Sequence, residues 1–188
     1  MSTTIIDVLL KVVDAFDKLG IPYAVGGSIA SSLHGLARST QDADVLALIK
    51  PEQARALAAE LQDEFYADEQ TIINAVRMRR SFNVIHLDSI YKVDIFVARE
   101  FGFEAAQLER RQQRIVKKDS QQTAFVATAE DTILAKLVWY RKGNEISDQQ
   151  WRDIKGIIEA KTGILDLSYL RNWAENLGVE DLLHRAME

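Results

Sequence analysis

The stretch AVGGSIASSLHGLARSTQDADVLALI, residues 24–49, restricts the possible folds of this chain more than any other. Gly26 and Gly27 end a short apolar run, a helix-length segment of small residues follows, and Asp42 and Asp44 then open a second apolar run. Strand, bare turn, helix, strand is the expected order. Side chains on a strand alternate between faces, so Asp42 and Asp44 project from the same side. The second run is nearly all apolar after its acids, which places it inside a sheet.

The rest of the chain extends this pattern. Ile6, Leu9, Leu10, Val13 and Phe16 recur at helical spacing before a stop at Gly20. Residues 21–25 read as a strand, 28–36 as a helix and 42–49 as a strand. Pro51 suits the first turn of a helix carrying Ala54, Leu57, Ala58 and Leu61. Residues 66–80 carry no decisive pattern. Two strands, 82–87 and 92–97, flank a tight turn; 103–113 read as helix and 123–127 as extended. Beyond 128 the texture is helical. Thr128 is placed to cap one helix that ends at Gly143, Ser147 and Gln150 form a capping box, and Gly163 and Gly178 separate two further pieces. The expected fold is α/β (α+β): a mixed sheet core over 1–127 with packed helices, and a helical part over 128–188. No Pro/Gly/Ser-rich linker divides them, so one compact unit is expected.

Composition narrows the chemistry. Of 188 residues, 47% are hydrophobic, enough for a sizeable core, and none is cysteine. This removes disulfides, a thiolate nucleophile and a cysteine zinc site. The N-terminal residues read as an amphipathic helix and not a signal peptide, and no apolar run is long enough for a membrane span, so a cytoplasmic protein is expected. A net charge of −5 argues against a general nucleic-acid coat. Two basic stretches, RMRR at 77–80 and RRQQRIVKK at 110–118, are either solvated surface or a local anion site.

Glycines and acids together point to phosphate chemistry. A Gly-Gly-Ser turn entering a helix lets backbone N–H groups approach a ligand, beside the positive end of the helix dipole. Ser28 adds a hydroxyl. The turn is neither a Walker A loop nor a dinucleotide fingerprint, since the required glycines and lysine are missing. Two carboxylates on one face repel unless a cation or proton lies between them, and Mg²⁺ suits such a pair. The alternative is that one acid ends the strand and the other faces water. Asp94, within KVDIFV, is a third acid on a strand expected to be largely buried, where it needs a partner or a metal.

GGSIASSLHGLARSTQDADV resembles the glycine and D-x-D signature of the DNA polymerase β-like nucleotidyltransferase superfamily. FNVIHL, KVDIFV, ATAEDTILAKLVWYRKG and SDQQWRDIKGI are similar to small bacterial nucleotidyltransferase-like proteins close in layout to abortive-infection toxins of toxin–antitoxin pairs. The resemblance implies that Gly26, Gly27 and Ser28 hold a nucleoside triphosphate, and that Asp42, Asp44 and Asp94 bind Mg²⁺ (or Mn²⁺), with Asp94 also orienting or serving as the base. It further implies that Lys136 and Asp153 meet the nucleotide. Lys136 also fits a lysine snorkelling from an amphipathic helix, and Asp153 fits a local pair with Arg152 or Lys155. Arg38 suits a phosphate contact or a pair with Asp42; Thr40 suits the turn into the strand. His34 reads as a helix residue near the glycine turn. Trp139, Tyr140 and Trp151 read as helix-packing residues. The implied activity is transfer of a nucleoside monophosphate to a hydroxyl on RNA or tRNA, a protein or a small molecule. An antitoxin would be a partner and a membrane would not. The alternative is a binding module or antitoxin component on the same fold.

Overall fold

The computed structural model describes residues 3–35, 37 and 39–188. Leu36 and Arg38 lie outside the described residues. Helix α1 (Ile5–Lys18) starts at a capping box in which Thr4 and Asp7 satisfy each other's backbone N–H groups. It buries Val8, Leu9, Val12, Val13 and Phe16. Strand β1 (Tyr23–Val25) leads into α2 (Gly27–His34), then β2 (Asp42–Ala47). A 3-10 turn at Pro51–Gln53 opens α3 (Ala54–Leu61). The undecided stretch 66–80 becomes the end of β3 (Phe65–Tyr66) followed by α4 (Glu69–Met78). Asp68 caps α4 by accepting from Thr71 N at 2.7 Å. Strands β4 (Ser81–His86) and β5 (Lys92–Val97) follow, then α5 (Gly102–Arg110), β6 (Gln112–Lys117) and β7 (Gln122–Val126).

Among the described residues seven strands form one mixed sheet in the order β3-β4-β5-β2-β1-β7-β6. The β2–β5 and β1–β7 pairs are parallel and the others antiparallel. β2 and β5 are central, and their alternation decides the two faces. Ala43, Val45 and Ala47 with Val93, Ile95 and Val97 enter the main core together with α1, α3 and α4. Asp42, Asp44 and Leu46 with Lys92, Asp94 and Phe96 point the other way.

One expectation is corrected here. The helix expected over 103–113 stops at Arg110, because Gln112 begins β6 against β7. The basic stretch 110–118 is therefore mostly an edge strand. Several of its charges are occupied: Arg110 reaches Glu130, and Lys117 pairs with Asp7 at 2.5 Å. In the other basic stretch, Arg79 donates to the Ala98 carbonyl at 3.0 Å.

Helices α6 (Ala129–Lys142), α7 (Asp148–Ala160), α8 (Leu167–Leu177) and α9 (Glu180–Met187) share a second apolar cluster around Ile133, Leu134, Leu137, Ile154 and Leu170. Thr128 caps α6, accepting from Asp131 N at 3.1 Å. Ser147 caps α7, accepting from Gln150 N at 3.3 Å, but the reciprocal half of the expected capping box is missing: Gln150 Oε1 is buried without a partner. Among the described residues no helix is long and apolar enough to cross a membrane.

Helix α2 joins the two clusters, touching β2 on one side and α6 and α7 on the other. His34 Nε2 lies 2.7 Å from the Ala127 carbonyl and donates to it, which ties α2 to the entry of α6. Burial holds the His34 imidazole below its usual range, so it is neutral at pH 7. Gly35 lets the end of α2 come close to α7: a Cβ there would stand 2.9 Å from Gly156 C and Ile157 N. Gly35→Ala is expected to destabilise the protein by about 1–3 kcal/mol through this backbone overlap. A lower urea midpoint with an unchanged slope is the expected readout.

Candidate active site

The site begins at the entry to β2. The Thr40 hydroxyl donates to the Asp42 carbonyl at 3.0 Å, closing the turn into the strand. Parallel pairing then sets Asp42 opposite Lys92, Asp44 opposite Asp94, and Leu46 opposite Phe96. Adjacent strands lie about 4.8 Å apart, so the Asp44 and Asp94 carboxyls stand side by side on one face.

The glycine turn rests directly against this pair. Gly26 N donates to the Asp44 carbonyl at 2.9 Å. Gly27, the first residue of α2, has φ +53°, and a Cβ on it would lie 1.8 Å from Asp44 Oδ2. Glycine is required twice over, by the left-handed backbone and by the carboxylate. The N-terminal end of α2, with Ser28 in its first turn, thus opens beside Asp44.

Burial raises the Asp44 carboxyl above its usual range, and the Asp94 and Asp42 charges add to the rise. Lys136 and Lys92 oppose it. Lys92 Nζ sits 2.9 Å from Asp94 Oδ2, and this hydrogen bond raises the Lys92 ammonium above its usual range. Sequence reasoning missed Lys92. Its signal was the same i, i+2 spacing to Asp94 that singled out Asp42 and Asp44.

Lys136 Nζ bonds Asp153 Oδ2 at 2.9 Å, with the two side chains 10% and 9% exposed. Lys136 therefore does not snorkel to solvent, and Asp153 reaches from α7 across to α6. Asp153→Asn leaves a buried ammonium with one carboxylate fewer near it. The expected cost is about 3 kcal/mol, moderated by Asp44, and a thermal melt at neutral pH checks it. Asp42 is exposed at the strand end. Arg38 lies outside the described residues.

Among the described residues no three acidic or histidine side chains converge as a complete metal cage. The donor set still fits a hard cation: two facing carboxylates supply oxygens, and Mg²⁺ commonly takes its remaining ligands from water and substrate phosphate.

A cleft of about 760 Å³ runs from Gly27, Ser28 and Asp44 past Lys136 to Phe96 and Trp139. Here a further expectation is corrected. Tyr140 and Trp151 pack together, ring centroids 5.1 Å apart, but Trp139 is 49% exposed and faces the cleft. Its ring meets Phe96 edge-on at 5.8 Å. One helical turn separates it from Lys136, so both reach the same side of α6.

No family model and no curated protein sequence matches this chain. Its fold is similar to that of several solved nucleotidyltransferases. The antibiotic-resistance factor ANT(2'')-Ia aligns with a TM-score of 0.54 at 16% identity, covering 96% of each chain. The lincosamide antibiotic adenylyltransferase LnuA, solved with lincomycin, aligns at 0.52 and 15% identity, covering 81% of this chain and 95% of its own. An antigenic nucleotidyltransferase-like protein from Paracoccidioides brasiliensis aligns at 0.52 and 18% identity, covering 95% and 90%.

Proposed function

We propose that this chain is a divalent-metal-dependent nucleotidyltransferase, moving a nucleoside monophosphate from a nucleoside triphosphate to an acceptor hydroxyl. The observation that carries the reading is the direct register of Asp44 and Asp94 with Gly27 pressed against Asp44. The fold likeness to LnuA, an adenylyltransferase, supports it.

In this reading the backbone N–H groups at Gly27 and Ser28 receive the triphosphate at the start of α2. Asp44 and Asp94, with Asp42 at the rim, would hold Mg²⁺ or Mn²⁺, which when bound would supply positive charge to the α-phosphate and to the leaving pyrophosphate. The acceptor oxygen attacks the α-phosphorus, the bond to the bridging oxygen breaks, and pyrophosphate departs. Asp94 orients the hydroxyl and takes its proton, which requires Lys92 to withdraw. Lys136, held by Asp153, adds positive charge near the phosphates. The acceptor is RNA or tRNA, a protein or a small molecule, and the toxin role with an antitoxin partner belongs to this proposal.

The Lys92–Asp94 ion pair favours a second reading, since it fills with a protein cation the place an ion would take. On that reading the chain binds nucleotide or a partner, as an antitoxin component does, without turnover. Incubation with α-labelled triphosphates, Mg²⁺ and each acceptor class separates the two. Labelled acceptor with matching pyrophosphate supports the enzyme; tight nucleotide binding without either product supports the module.

A further inference from the structure

The cleft is built from two unlike halves, and sheet order assigns them. Reading across the sheet, β5 carries Asp94, β2 carries Asp44, and β1 leads into the Gly27 turn. Triphosphate held at Gly27 and Ser28 therefore occupies the β1 side, and an acceptor hydroxyl meeting Asp94 approaches from the β5 side. Resting on the proposed nucleotidyl transfer, we infer that the β5 side is an acceptor site for a small hydroxyl-bearing aromatic molecule, neutral or anionic.

The β5 side turns apolar beyond Asp94. Leu46 and Phe96 lie opposite each other, two residues beyond Asp44 and Asp94 and on the same face. Two residues of strand span about 7 Å, so an aromatic ring over Phe96 sets its hydroxyl at the carboxylates. Trp139 meets Phe96 edge-on and walls the cleft beside it, and Phe101, just after β5, is 72% exposed at the same cleft. A volume of about 760 Å³ suits small molecules.

Charge selects among them. Arg99 and Lys142 line this part of the cleft, Lys142 Nζ lying 4.9 Å from the Trp139 ring centre. Glu104, beside them, accepts from Arg99 N at 2.6 Å and keeps its negative charge, so Arg99 and Lys142 leave an excess of one positive charge at this end of the cleft. That excess favours a carboxylate or a neutral ring over a polycation.

The test is calorimetry on the full chain with Mg²⁺, using ATP and then 4-hydroxybenzoate in the presence of a non-hydrolysable ATP analogue. Trp139→Leu is expected to bind ATP as the wild type does and 4-hydroxybenzoate about tenfold more weakly, the scale of one lost aromatic contact. The Arg99→Gln/Lys142→Gln double variant, which leaves the aromatic wall intact, is expected to show a similar loss. Three results would each overturn the inference: ATP affinity falling with Trp139, which makes the wall a base site; an aminoglycoside polycation binding better than 4-hydroxybenzoate; or no 4-hydroxybenzoate binding while ATP binds normally. A wild type that binds no ATP instead sinks the nucleotidyl-transfer reading underneath.

Discussion

Asp44→Asn is expected to lower nucleotide transfer by on the order of 10²–10³-fold, the scale of removing one electrostatic contact to a transition state, while leaving the metal-free protein at least as stable as wild type. The two effects have one cause. Burial and the Asp94 and Asp42 charges all disfavour the ionised Asp44 carboxyl, and its native value is raised. A raised carboxylate loses its proton more readily in the unfolded chain. It therefore costs no stability below the unfolded range, near about pH 3.9, and costs stability as pH rises through the native value. Asparagine removes that slope. It also removes an anionic oxygen from the cation pair. Wild type should gain stability from Mg²⁺ by mass action, roughly 2.7 kcal/mol at one hundred times the dissociation constant, and the variant should gain little. Melts of both proteins between pH 4 and 8, with and without Mg²⁺ and ATP, check both signs together. A wild type indifferent to Mg²⁺ and Mn²⁺ with nucleotide present would pass the reading to the non-catalytic alternative.

Gly27→Val is expected to abolish productive triphosphate binding and to destabilise the fold by about 1–3 kcal/mol, the range for a side chain forced into a sparsely populated backbone region. The new Cβ would stand 1.8 Å from Asp44 Oδ2 and 2.8 Å from Asp44 Cβ. Rotating the carboxylate relieves the first overlap but not the second, so the turn must leave β2. That motion breaks the Gly26-to-Asp44 hydrogen bond and carries the start of α2 away from the carboxylates. Calorimetric titration with ATP and Mg²⁺ reads the outcome, and an unchanged affinity would reduce the turn to a structural role.

Much of this arrangement was legible because it rests on short-range rules. Alternation along a strand put Asp42 and Asp44 on one face, Gly20 marked the stop of α1, and Thr128 and Gly143 marked the ends of α6. What escaped depends on neighbours distant in sequence. β6 shows no alternation of burial; it is a strand because β7 pairs with it. α4 buries only Ile72, Ala75 and Val76, too few for a clear helical stripe in 66–80. Lys92 was readable from its i, i+2 spacing to Asp94, whereas the exposure of Trp139 depends on how the C-terminal helices sit against the sheet, and no local pattern encodes that. Lys136 and Asp153 entered through resemblance alone, and their mutual contact became visible only when α6 and α7 were placed side by side.

The order in which the chain leaves the ribosome gives the Lys92–Asp94 pair a consequence in time. All three aspartates emerge before α6 and α7 exist, so the carboxylate face is complete long before Lys136 can balance it. Domains begin to fold during synthesis, the N-terminal part first. Lys92 emerges two residues ahead of Asp94 and lies opposite Asp42 in the same register. It is a counterion made in step with Asp94, so the third acid joins Asp42 and Asp44 only with a cation beside it.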